Sequence, residues 1–187
     1  TQAAPTEQPT PEPDPVQQLL EEMTLEQKVG QLFLVRPDSL DLSQTQDQIN
    51  DAKADGVTKL TDAMRQTLAE YPVGGVVIFG KNLESPQQIT QFLDDLQQAS
   101  DTPLFTAIDE EGGLVARLAN NAAFDLPQYE SAAAVGTSGN PEDARAMGRT
   151  IGGYLKEYGF NLDFAPVADV NTNPDNPVIG TRAFSSE

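Results

Sequence analysis

Four short apolar runs without regular polar alternation set what this chain can fold into: VGQLFLV at Val29–Val35, GGVVIF at Gly74–Phe79, LFTAID at Leu104–Asp109 and NLDFAPV at Asn161–Val167. Strands of this kind, separated by helices, mark a parallel sheet covered on both faces, whereas a half-solvated antiparallel sheet would alternate. The helix signals fall between the runs. Asp14-Pro15 opens a helix in which Val16, Leu19, Leu20 and Met23 recur at helical spacing. Thr24-Leu25-Glu26-Gln27 fits a capping box, and Ser85-Pro86-Gln87-Gln88 fits another that starts a helix reaching about Ala99. Thr61–Tyr71 reads as a helix stopped by Pro72, and Asn140-Pro141 opens one that ends at Tyr158, with Gly159 as its C′ residue. Residues 38–60 are polar and read as an inserted loop with some helix. A (β/α)8 barrel needs eight strands and typically about 250 residues. Four β-units in 187 residues therefore leave two architectures open, a smaller open α/β domain or the first half of a barrel.

Composition narrows the chemistry. With 29 acidic and 11 basic residues the net charge is -18, which disfavours nucleic acid and anionic membrane surfaces as partners. Cys and His are both absent, which removes disulfides, thiol catalysis, zinc fingers and His-based triads within this chain. No apolar run approaches the roughly 20 residues of a membrane span. Five of the 14 prolines fall within TQAAPTEQPTPEPDP. Residues 1–13 therefore read as a disordered Pro-rich tether before a globular part over 14–187. No secretory leader precedes it, but such a tether is what remains once a leader is removed, so a secreted or surface-tethered location is expected.

Two segments carry chemistry. In Ile108-Asp109-Glu110-Glu111-Gly112-Gly113-Leu114-Val115-Ala116-Arg117 an apolar run ends in three carboxylates, two glycines and an Arg. Carboxyl ends of parallel strands face the ligand crevice, where a carboxylate accepts from hydroxyls and a guanidinium donates through a fixed fork. The plainer reading is a solvated acidic turn with a glycine hairpin. A phosphate cradle is excluded by the three carboxylates and the lack of a G-x-G-x-x-G or Walker pattern. The second segment runs from Phe164 to Phe184. Its Asp169, Asn171, Asn173 and Asp175 imitate a calcium loop, but Pro174 and Gly180 occupy the positions that need Gly and a bidentate Glu. Two readings remain for it, a proline-stiffened loop that holds Arg182 in place or a structural loop whose Asn and Asp side chains bond their own backbone.

Taken together these segments resemble glycoside hydrolase family 3, in its β-N-acetylhexosaminidase branch. The resemblance rests on MTLEQKVGQLF at 23–33, VGGVVIF at 73–79 with Asn82 and Pro86, D-x-E-G-G-x-V-x-R at 109–117, and F-A-P-V-x-D-V with I-G-x-R-x-F at 164–170 and 179–184. The family's β-glucosidases typically carry His-Gly where this chain has Glu-Gly-Gly. What the resemblance implies is an α/β fold, the first half of a (β/α)8 barrel with four parallel strands and covering helices. It implies that Asp109, Arg117 and Arg182 hold N-acetylglucosamine at the −1 subsite. Leu114 departs from the polar or basic residue common there, and 38–60 is longer than the usual first connection. The branch's Lys-His pair, His acid/base and Asp nucleophile would follow after Glu187, so no catalytic residue is assigned in this chain. The isolated chain is expected to be inactive and to need the C-terminal half of the barrel. The implied activity is retaining removal of terminal β-linked N-acetylglucosamine from cell-wall fragments or related glycans, with carbohydrate as partner and no cofactor or metal. A phosphorylase on the same barrel and a non-catalytic sugar-binding module are the alternatives.

Overall fold

Side-chain caps start the helices where the sequence places them. The computed structural model describes residues 14–187, and the expected tether over 1–13 lies outside the described residues. Asp14 accepts from the Val16 N–H to open α1 (Pro15–Glu22), and Thr24 and Gln27 form the reciprocal box at α2 (Leu25–Gly30). The strand expected over 29–35 shrinks to β1 (Leu34–Val35), because α2 takes Val29 and Gly30. The 38–60 connection holds a 3-10 turn (Pro37–Leu40) and the short α3 (Gln46–Asn50). Then come α4 (Asp62–Glu70), β2 (Gly75–Ile78), α5 (Pro86–Gln98) and β3 (Phe105–Ile108). At α5 only half of the expected box forms. Ser85 caps the Gln88 N–H, but the Gln88 side chain accepts from Glu84 and donates to Thr58 and Asn82 carbonyls.

After β3 the chain makes the hairpin β4 (Glu110–Gly112) and β5 (Val115–Ala116), then α6 (Ala132–Gly136), α7 (Pro141–Glu157) and β6 (Leu162–Asp163). Asn140 caps α7, and Gly159 follows its end at φ 93°, the left-handed C′ conformation that glycine adopts without strain. Asn161 starts β6 by bonding across to β3. Its side chain accepts from the Thr106 N–H at 2.8 Å and donates to the Leu104 carbonyl at 2.8 Å. A second 3-10 turn (Gly180–Arg182) lies near the end.

The main sheet has the order β1-β2-β3-β6, all parallel, with Val35 opposite Val76, Ile78 opposite Ile108, and Ile108 opposite Asp163. Strands laid down in chain order are the mark of a barrel wall, since an open doubly wound sheet reverses its order at a switch point. The cover is one-sided among the described residues, which corrects the expectation of helices on both faces. Val76, Ile78 and Ile108 pack against Leu68 of α4, Phe92 and Leu96 of α5, and Ile151 and Leu155 of α7. On the other face Leu34, Val77 and Leu162 are half-buried and Phe105 is 51% exposed. That face is the inner surface of a barrel wall. The apolar stripe of α1 is uncovered as well, with Val16, Leu19 and Leu20 all exposed. Among the described residues no helix is long and apolar enough to cross a membrane.

Candidate functional site

The site begins where β3 runs out. Side chains alternate along a strand, so Asp109, next after core-facing Ile108, emerges on the open inner face. Phe79 after Ile78 and Phe164 after Asp163 emerge there too. The chain then doubles back. Gly112 at φ 82° and Gly113 at φ 72° make the turn of the β4–β5 hairpin, a region that side-chain-bearing residues enter only with strain. A Cβ at Gly113 would also press on the backbone of Ser131. The hairpin brings Arg117 back to the strand end, where its Nη2 donates to Asp109 Oδ2 at 3.0 Å.

The hairpin of the plainer reading is therefore present, but two of its three carboxylates, Glu110 and Glu111, are buried. Glu110 is fully buried and accepts from the Leu118 and Ala119 N–H groups, each at 2.9 Å, and from the Tyr154 hydroxyl of α7 at 2.8 Å. Those amides directly follow Arg117, so Glu110 clamps the backbone that presents it. Burial, reinforced by the Glu110 charge, pushes the Tyr154 phenol far above its ordinary range, which keeps it a donor. Glu111 is 8% exposed and accepts from Arg182 Nε at 2.8 Å and Nη2 at 2.6 Å, a bidentate pair. Arg182 also donates to the Val178 carbonyl at 3.2 Å. Its pKa is raised mainly by the bonds it donates to Glu111, with the charges of Glu111, Asp109 and Asp169 adding against the opposing effect of burial.

Asp109 and Arg117 thus touch directly, and Arg182 reaches the same end of the sheet through Glu111. Glu111 stands in the DEEGG run, but no local pattern assigns it a partner 71 positions away. Phe79 was likewise not legible as a site residue. The Arg117 guanidinium carbon lies 5.7 Å from its ring centroid and that of Arg36 lies 4.3 Å away, both within cation–π range. Asn173 and Asn176 accept from backbone N–H groups two or three residues on, the structural-loop behaviour, while the same loop carries Arg182.

One further carboxylate is perturbed. Asp163 is pushed up to about 6, chiefly by burial and then by the Glu110, Asp109 and Glu111 charges, against the opposing bond it accepts from the Glu110 N–H. Its register with Ile108 turns it to the helix side, where it lines a cavity of about 440 Å³ with Met147, Ile151 and Leu155. A raised pKa marks candidate acids, but this one faces away from Asp109.

The chain matches the sequence model of the Glycosyl hydrolase family 3 N terminal domain over residues 24–187. It is 37% identical over 134 residues to beta-hexosaminidase A of Pseudoalteromonas piscicida, covering 69% of this chain and 22% of that protein. To the beta-hexosaminidase of Thiobacillus denitrificans it is 32% identical, over 70% of this chain and 36% of the relative. The chain thus spans about a fifth to a third of the length of these two curated relatives. In three dimensions it resembles a glycoside hydrolase family 3 beta-N-acetylglucosaminidase from Paenibacillus sp., with TM-score 0.70 and 34% identity over 87% of this chain and 27% of that one. A family 3 glycosyl hydrolase from Mycobacterium smegmatis matches with TM-score 0.64 and 28% identity over 90% and 43% of the two chains.

Proposed function

Because this chain belongs to glycosyl hydrolase family 3, we propose that it supplies the sugar-holding wall of a β-N-acetylhexosaminidase. In this reading Asp109, Arg117 and Arg182 hold a terminal N-acetylglucosamine for retaining hydrolysis. The observation that carries it is the pair of carboxylate–guanidinium contacts, Asp109 with Arg117 and Glu111 with Arg182, at the carboxyl ends of parallel strands. The Asp109–Arg117 contact leaves donors and acceptors free, with the two side chains 26% and 34% exposed. A guanidinium has five N–H donors and a carboxylate has about four lone-pair sites, so neither is saturated by its partner. The buried Arg117 Nε has no bond among the described residues. Sugar hydroxyls can insert as both donor and acceptor between such groups.

Retaining hydrolysis needs one group to protonate the leaving oxygen and another to attack the anomeric carbon. Arg117 and Arg182 hold Asp109 and Glu111 in ion pairs, which suits binding rather than proton transfer. The chain has no His. The roles of acid/base and nucleophile are therefore assigned to polypeptide other than residues 1–187, packed on the open inner face. Support for cell-wall glycan fragments as substrates, and for a location outside the cytoplasm, comes from the branch resemblance and the Pro-rich start of the sequence.

The test is release of nitrophenol from 4-nitrophenyl N-acetyl-β-D-glucosaminide by the whole gene product that contains this chain and by the chain alone. Turnover by the former and none by the latter is expected. Activity of the isolated chain would refute the division of labour, and inactivity of the whole product toward N-acetylglucosaminides would refute the reading.

A further inference from the structure

We propose that Arg36 is a further substrate-contacting residue, which selects substrates bearing an anionic substituent beside the sugar held by Asp109, Arg117 and Arg182. The inference rests on the reading of the site given above and names a specificity within it. Arg36 directly follows β1, and Val35 is paired with core-facing Val76, so alternation puts Arg36 on the open face with Val77, Phe79 and Asp109. Its guanidinium stacks on Phe79, the ring that Arg117 also approaches. One disaccharide-sized ligand can therefore reach both cations.

Charge matching singles Arg36 out. At this end of the sheet Lys81 pairs with Asp38 at 3.2 Å, Arg117 with Asp109 at 3.0 Å and Arg182 with Glu111 at 2.6 Å. Among the described residues Arg36 has no carboxylate partner, in a chain of net charge -18. Among the described residues only its Nη1 is engaged, donating to the Ile49 carbonyl at 2.7 Å and reaching Asn50 Oδ1 at 3.5 Å. Nε and Nη2 are left as an open fork, held in orientation by the aromatic face.

Capping the end of α3 does not account for the residue. Lys81 already donates to the Gln48 and Ile49 carbonyls at 3.0 and 3.1 Å, so those acceptors are satisfied without it. A half-buried, half-used guanidinium beside a sugar site fits a carboxylate or sulfate oxygen pair. The anion can sit on the leaving group or on the sugar itself.

The experiment compares kcat/KM of the whole gene product for three substrates. These are neutral 4-nitrophenyl N-acetyl-β-D-glucosaminide, its sugar 6-O-sulfate, and the analogue with a carboxylate on the nitrophenyl ring. In Arg36→Gln the anionic-to-neutral ratio is expected to fall about tenfold or more for one of the two anions, through KM, as a charge-assisted bond is lost. The substrate that loses its advantage locates the anion. Arg36→Lys, which keeps the charge, should retain part of the ratio. An unchanged ratio in Arg36→Gln for both anions, or a fall in Arg36→Lys as large as in Arg36→Gln, overturns the proposal. Absence of all turnover would refute the hydrolase reading alone. Calorimetric binding of the same three compounds then still decides the role of Arg36, because selective binding of an anion that Arg36→Gln abolishes supports it and unselective binding overturns it.

Discussion

Asp38→Ala removes the acceptor at the centre of a buried hub that joins the carboxyl ends of β1 and β2. The Asp38 carboxylate takes three donors: the Val57 N–H at 3.1 Å, Asn82 Nδ2 at 3.0 Å and Lys81 Nζ at 3.2 Å. The Asp38 side chain is fully buried and that of Lys81 is 5% exposed, so the alanine variant strands an ammonium out of water. Breaking one side of a buried pair costs about 3–5 kcal/mol. Lys81 keeps the Gln48 and Ile49 carbonyls, which places the expected cost near the lower end, about 3 kcal/mol. Lys81→Met should cost less, about 1–3 kcal/mol, because Asp38 keeps two of its three donors. The double variant leaves no unpaired charge, so its cost should fall short of the sum by about 2 kcal/mol. Urea unfolding followed by far-UV circular dichroism suits a chain without Trp. With a slope of about 2 kcal/mol per molar, Asp38→Ala should lower the midpoint by about 1.5 M. A loss below about 1 kcal/mol, or strict additivity in the double variant, would refute the view of the pair as desolvated and coupled.

Two further outcomes follow from the carboxylates behind the site. Asp163 is pushed up to about 6 in the folded chain, against about 3.9 unfolded. The folded state thus binds the extra proton, and stability should fall as pH rises from about 4 to about 6. After allowance for partial solvent access the fall is about 1–2 kcal/mol. Asp163→Asn, which still accepts from Glu110, should remove that fall in urea midpoints measured across the range, and an unchanged pH slope would contradict it. Tyr154→Phe deletes one of three donors to Glu110 and should cost about 1 kcal/mol. A loss above about 3 kcal/mol would mean that the two backbone amides do not sustain the carboxylate alone.

Helix starts were legible because capping is local. Asp14, Thr24, Thr61 and Asn140 each bond an N–H two or three residues on, so residue type and spacing suffice. The capping of α5 was half legible, since the Gln88 oxygen takes the Glu84 N–H in place of that of Ser85, while its amide donates to the Thr58 carbonyl, which only folding brings near. The four β-units were legible as apolar runs, but not their length. Competition from α2 cut the first to Leu34–Val35, and β6 pairs over Leu162–Asp163 alone. Asp109 and Arg117 stood out because one hairpin joins them eight positions apart.

Sequence by itself determined that this chain makes parallel strands between helices, and it marked Asp109, Arg117 and Arg182 through motif order. Only the tertiary structure decided which face of the sheet stays open, that Glu111 and not Asp109 grips Arg182, and that Arg36 shares Phe79 with Arg117. The reason is distance along the chain. Periodicity and capping act over a few residues. The partner of a guanidinium 71 positions from its carboxylate is set by strand order and register, and these exist only once the sheet has formed.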